Sequence, residues 1–134
     1  MPATNHTTLL TDLQLAVVRA LWTQGECTVL DVQQALLPER PLAQTTVATL
    51  LTRLEKRGIV SHRVDRRQFV YRALVSEPQV KVSMVGQLTE MLFAGRPAEL
   101  ISHLLASREV EAGDLEEVKR LIAEAEARSS VGAR

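Results

Sequence analysis

A chain of 134 residues, 46 % apolar and 24 % charged, has the composition of a folded soluble protein of one ordinary domain or two small ones, which excludes extended disorder. No apolar run nears the roughly 18 residues of a bilayer span, and Met1 to Thr8 lack a leader-type apolar core, so the expected location is the cytoplasm. The formal charge of zero hides two halves of opposite sign: Met1 to Val75 hold nine Lys or Arg against six Asp or Glu, and Ser76 to Arg134 hold seven against ten.

The first predicted helix begins at Thr11, whose hydroxyl can cap it while Gln14 reaches back, the capping-box arrangement. Leu13, Val17, Ala20 and Leu21 share its inner face, and Gly25 ends it. Thr28 and Asp31 repeat the box for a second helix with Val29, Val32 and Leu36 inward, stopped by Pro38 and Pro41. A third helix is expected from about Ala43 to Arg57, ending at Gly58, a residue that tolerates positive φ. Val47, Leu50, Leu51 and Leu54 fall at i, i+3, i+4 and i+7 and make its core stripe. The opposite face holds Thr45, Ala48, Thr49, Thr52 and Lys56. Short side chains with a hydroxyl or methyl let a groove wall approach the backbone, whereas a helix shaped for stability alone favours Glu, Lys and Arg there.

Ile59 to Val64 and Gln68 to Ala73 read as two strands, rich in β-branched and aromatic residues, with Asp65, Arg66 and Arg67 in the turn. Arg53 to Arg72 carries Arg53, Lys56, Arg57, Arg63, Arg66, Arg67 and Arg72 against only Glu55 and Asp65. A charge run alone is usually a solvated face. Three short helices followed by a hairpin with cations at its tip, however, is the layout of a winged helix-turn-helix.

Ser76 caps a further helix to about Phe93, with Pro78 in its first turn, where a missing N–H is tolerated. Val82, Val85, Leu88, Met91 and Leu92 keep one face apolar. Gly95 closes it, and Pro97 opens a helix bearing Leu100, Ile101, Leu104 and Leu105. The last helix, about Glu111 to Arg128, aligns Leu115, Val118, Leu121, Ile122 and Ala125. Three such helices, fewer than about 60 residues, make a thin core that calls for a second chain. The expected fold is mainly α with a small β-hairpin: a winged-helix DNA-binding domain over 9–75, a three-helix dimerisation region over 76–128 and a disordered tail over 129–134. Val85, Leu88, Leu92, Leu104, Leu115, Val118 and Ile122 are the residues expected between the two copies.

Leu13 to Trp22, the run Thr45 to Leu54 that opens on Thr-Thr-Val, the exit Arg53 to Gly58 and Phe69-Val70-Tyr71 resemble the penicillinase repressor family, the BlaI/MecI/CopY group. The likeness runs from about Leu9 to Ala127. It implies a homodimeric repressor with two winged-helix heads on a palindromic, double-stranded operator. By position it implies base contacts from Gln44, Thr45, Thr46, Thr49 and Arg53, and phosphate contacts from Lys56, Arg63, Arg66 and Arg67. It also implies a partner, a membrane-bound sensor protease of the BlaR/MecR type. Resistance-type members are cleaved at an Asn-Phe pair in the second C-terminal helix, where this chain reads His103-Leu104, and His103 is assigned no role. The Cys-x-Cys hooks of the copper-responsive branch are missing, which argues against copper sensing.

The chain has no Gly-rich phosphate loop, no metal-ligand spacing and no nucleophile–base pair, so neither enzyme, cofactor, metal nor small-molecule substrate is expected. The single cysteine, Cys27, reads as a small semi-buried hydrophobe, with a thiol switch as the alternative. For the whole chain the alternative to a DNA-binding repressor is a winged helix that binds proteins without touching DNA.

Overall fold

The computed structural model describes residues 9–107 and 109–132. Among them the chain forms α1 (Asp12–Gln24), β1 (Cys27–Thr28), α2 (Val29–Leu36), α3 (Gln44–Lys56), β2 (Val60–Asp65), β3 (Gln68–Ala73), α4 (Glu77–Phe93), α5 (Pro97–Ala106) and α6 (Ala112–Gly132). Two compact units divide it, Met1–Leu88 and Thr89–Arg134.

Local chemistry sets the helix starts. Thr11 and Gln14 exchange the expected capping bonds, as do Thr28 and Asp31, and Gly25 closes α1 at φ 87°. Ser76 and Gln79 form a third such box ahead of α4, with bonds of 2.8 and 3.2 Å. The core of the first unit gathers Val17, Val18 and Leu21 of α1, Val32 of α2, Val47, Leu51 and Leu54 of α3, and Ile59 and Val60. Leu13 and Leu50, expected inside, are only partly buried, while Val18 lies fully within.

The sheet has three strands in the order β1-β3-β2, all antiparallel. The expected hairpin is present, with β1 added on its far edge through Cys27 opposite Tyr71 and Thr28 opposite Val70. Cys27 is accordingly fully buried rather than semi-buried. The turn is tighter than expected: Asp65 pairs with Gln68 inside the ladder, which leaves Arg66 and Arg67 alone in the loop. Trp22 donates its indole N–H to the carbonyl of Val75 at 2.8 Å and pins the chain leaving β3 onto α1.

Val80 of α4 belongs to the core of the first unit, which therefore runs past the division expected at Ser76. The second unit has a different character. None of its apolar side chains is buried among the described residues. α6 continues to Gly132, beyond the expected end at Arg128, so residues 129–132 are helical where a disordered tail was expected, and residues 133–134 lie outside the described residues. No helix among the described residues is long and apolar enough to cross a membrane.

Candidate nucleic-acid interface

α3 is presented by its surroundings. Its inner residues Val47, Leu51 and Leu54 are locked in the core, so the opposite face must point outward. Gln33 of α2 donates its amide to the carbonyl of Leu42 at 2.9 Å and fixes the entry to the helix. At its far end the Arg57 guanidinium bonds the Gln14 side chain at 3.1 Å and the Leu9 carbonyl at 3.2 Å, tying α3 to the start of α1. No side chain caps the N-terminus at Ala43. The first-turn N–H groups and the positive end of the helix dipole are therefore left for an anion.

Gln44, Thr45, Thr46, Thr49, Arg53 and Lys56 are all exposed. The structure brings these expected groove and phosphate residues onto one helix. Thr52 differs from its neighbours, because its hydroxyl donates to the Ala48 carbonyl at 2.9 Å and is turned back on the helix. Among the described residues no ion pair or side-chain hydrogen bond engages Arg53, Lys56, Arg66 or Arg67. The single carboxylate of α3, Glu55, is not available to Arg53: the Nδ1–H of His62 on β2 donates to it, with oxygens at 2.7 and 2.9 Å.

The wing tip consists of Arg66 at φ 53° and Arg67 at φ 69°. Two successive residues at positive φ in a two-residue loop are the geometry of a type I′ turn, which favours Asn-Gly. Holding two arginines there costs backbone energy that a turn shaped for stability would avoid.

Arg63, expected on phosphate, sits differently. Its guanidinium forks onto Glu26, with Nη2 at 2.7 Å and Nε at 3.2 Å, and Asp65 lies 3.9 Å away. The hydrogen bond from Arg63, with the positive charge of Arg63 and Arg72, holds the Glu26 carboxyl below its ordinary range, and Glu26 pushes Arg63 higher still. The tally of seven cations between Arg53 and Arg72 therefore overstates the charge offered outward. Glu26 and His62 are the residues that sequence reasoning passed over, Glu55 entered it only as a charge beside the cations, and only chain folding brings each to its partner.

Tyr71 is buried, and burial followed by the Glu55 charge raises its hydroxyl pKa, with a Thr52 hydrogen bond opposing. It is a core residue. Burial, then the Asp31 carboxylate, likewise raises the Cys27 thiol, which opposes the reactive thiolate that a switch requires.

In the helical half the expected interface residues Val85, Leu88, Leu92, Leu104, Leu115 and Ile122 are 39–64 % exposed, and Val118 is half-buried. His103 is exposed, with its ring tilted against Phe93 at 5.8 Å between centroids.

Among solved structures, the DNA-binding domain of the repressor BlaI gives a TM-score of 0.47 at 27 % identity over 52 % of this chain and 85 % of that one. The Bacillus licheniformis BlaI monomeric form in complex with the blaP half-operator gives 0.46 at 27 % identity over 53 % and 87 %. In sequence, the methicillin resistance regulatory protein MecI of Staphylococcus aureus (strain N315) is 20 % identical over 88 % of this chain and 96 % of its own length. The transcriptional regulator BlaI of Mycobacterium tuberculosis (strain H37Rv) is 34 % identical over 90 % of this chain and 87 % of its own. The penicillinase repressor model matches residues 10–124. With a match over most of its length and a relative at that identity, the chain belongs to the penicillinase repressor family.

Proposed function

We propose that this chain is a transcriptional repressor that binds double-stranded operator DNA as a homodimer, one α3 in each of two major grooves of a palindromic site. The observation that carries the reading is the pairing state of the cations. Among the described residues Arg53, Lys56, Arg66 and Arg67 are unpaired on α3 and the wing tip, while Arg57 and Arg63 are tied down elsewhere. Unpaired cations around a helix of short hydroxyl side chains match what phosphate positioning and base reading each require. Thr methyl groups at 45, 46 and 49 suit thymine methyls, and Gln44 and Arg53 suit base edges.

The uncovered apolar faces of α4, α5 and α6 support the pairing of two copies. A half-exposed Leu or Ile leaves about 1 kcal/mol of burial unrealised, and a self-complementary interface recovers it on both chains at once. Such a dimer sets the spacing of the two heads. The family description as repressors and the regulator name of the M. tuberculosis relative agree with this role. Its place of action is the cytoplasm, and a membrane-bound sensor protease of the BlaR/MecR type is the proposed relieving partner.

A mobility shift with the DNA upstream of its own gene tests the reading. A retarded complex is expected, with log affinity falling against log salt at a slope of up to about −5 when Lys56, Arg66 and Arg67 of both copies meet phosphates. Absence of any shift at low salt would leave only the protein-binding alternative.

A further inference from the structure

The outer wing has little to hold it. β1 supports β3 only at Tyr71 and Val70, so the rungs Val64–Phe69 and Asp65–Gln68 and the Arg66-Arg67 turn overhang the three-stranded part. Side chains alternate across a strand, and directly opposed residues share a face. His62, Val64, Phe69 and Tyr71 therefore lie on one side of the wing, and Arg63 and Asp65 on the other. On the second side the brace is the Arg63–Glu26 pair, whose side chains are 53 % and 43 % exposed. Exposed pairs of this kind constrain weakly.

The first side is built differently. The His62 ring stacks on Phe69 with centroids 4.0 Å apart and planes 16° from parallel, and it meets Tyr71 at 5.4 Å. The same ring is bonded through Nδ1 to both oxygens of Glu55, in the last turn of α3. Glu55 and His62 are the more sheltered pair, at 33 % and 27 % exposure. One imidazole thus joins the reading helix to the overhanging half of the wing, in a partly dry setting where such bonds are stronger.

We infer that His62 is a positioning residue for DNA binding: through Glu55 and Phe69 it sets the angle of the wing against α3, so that Arg66 and Arg67 reach phosphates while α3 lies in the groove. It touches no DNA itself. The inference rests on the DNA-binding reading above and adds a coupling between its two contact elements.

The test compares the double variant Glu55→Ala/His62→Ala with Arg66→Ala/Arg67→Ala and with all four changes together, in the full chain. Removing both members of the pair avoids leaving a bare carboxylate facing DNA. The expected result is a salt slope shallower by about 1.8 per half-site in each double variant, the value for two lost phosphate contacts, with the ranking of preferred sites unchanged. In the fourfold variant the Glu55/His62 change adds nothing further, because the tip it positions is gone. His62→Gln, which keeps a donor toward Glu55, recovers part of the slope.

A wild-type slope in Glu55→Ala/His62→Ala, or a loss fully additive with that of the tip variant, overturns the inference, since a purely structural role shifts melting without this coupling. Should that double variant fail to fold, Glu55→Gln/His62→Phe keeps the stack on Phe69, cuts the bond between the two positions and leaves no bare carboxylate. It must then lose slope in the same way, and a wild-type slope there overturns the inference equally. If wild-type protein binds no operator DNA, the functional reading fails first, a separate and distinguishable outcome.

Discussion

Replacing Arg66 by Asn and Arg67 by Gly should make the protein more stable and a poorer DNA binder. Both positions hold a non-glycine residue at positive φ, 53° and 69°, in the one turn type that asks for Asn-Gly. The left-handed region costs an ordinary side chain about 1 kcal/mol or more, so the two positions together store about 2 kcal/mol. Glycine returns up to about 1 kcal/mol of that through the extra freedom it gives the unfolded chain. The net gain of about 1 kcal/mol corresponds to about 4–8 °C in the melting temperature of a unit this size. The same change deletes two unpaired cations from each wing, so the salt slope should fall by about 1.8 per half-site. Thermal unfolding by circular dichroism and binding titrations at several salt concentrations read both effects on one sample. A lower melting temperature would refute the strain argument, and an unchanged slope would refute the assignment of the tip to phosphate.

Thr46→Ala and Arg67→Ala should separate reading from positioning: the first relaxes sequence preference, and the second weakens all sequences and flattens the slope by about one unit, as competition titrations would reveal. Glu26→Gln releases Arg63 from its ion pair, so binding should strengthen at low salt and the slope steepen by up to about 0.9 per half-site; no change would mean that Arg63 cannot reach DNA. Leu104→Glu with Ile122→Glu should give a monomer in sedimentation velocity and lose more than about tenfold in operator affinity, because two linked half-sites bind through effective concentration. Cys27 should react with a thiol reagent at pH 8 at least about tenfold more slowly in the native protein than in denaturant. Its raised pKa favours the fold fully below the unfolded thiol's value, and that contribution drains away as pH rises toward the folded value.

What the sequence disclosed, and what it hid, divides along sequence separation. The boxes at Thr11–Gln14 and Thr28–Asp31 are bonds between residues three apart, so residue type and spacing suffice to find them. The inward stripe of α3 and the two strands of the wing follow from periodicity in the same way. β1 escaped notice because two residues carry no period, and its partners lie more than forty positions onward. Asp65 was placed in the turn because its residue type favours turns, yet cross-strand pairing with Gln68 drew it into the ladder. Ser129 and Ser130 are weak helix formers, which suggested a tail, but helix propagation carries α6 to Gly132. In the interface, exposure of the Thr-rich face could be deduced, whereas the pairing state of each cation could not. Glu26 meets Arg63 across 37 positions, and Glu55 meets His62 only after the chain reverses at Gly58.

The account stands most directly on what DNA the intact protein selects from a random pool. It predicts enrichment of an inverted repeat whose half-site centres lie one helical turn apart, about 10–10.5 base pairs, or a multiple of that, as a twofold pair of heads demands. A pool without enrichment, or one enriched in a solitary half-site with no inverted partner, would contradict it.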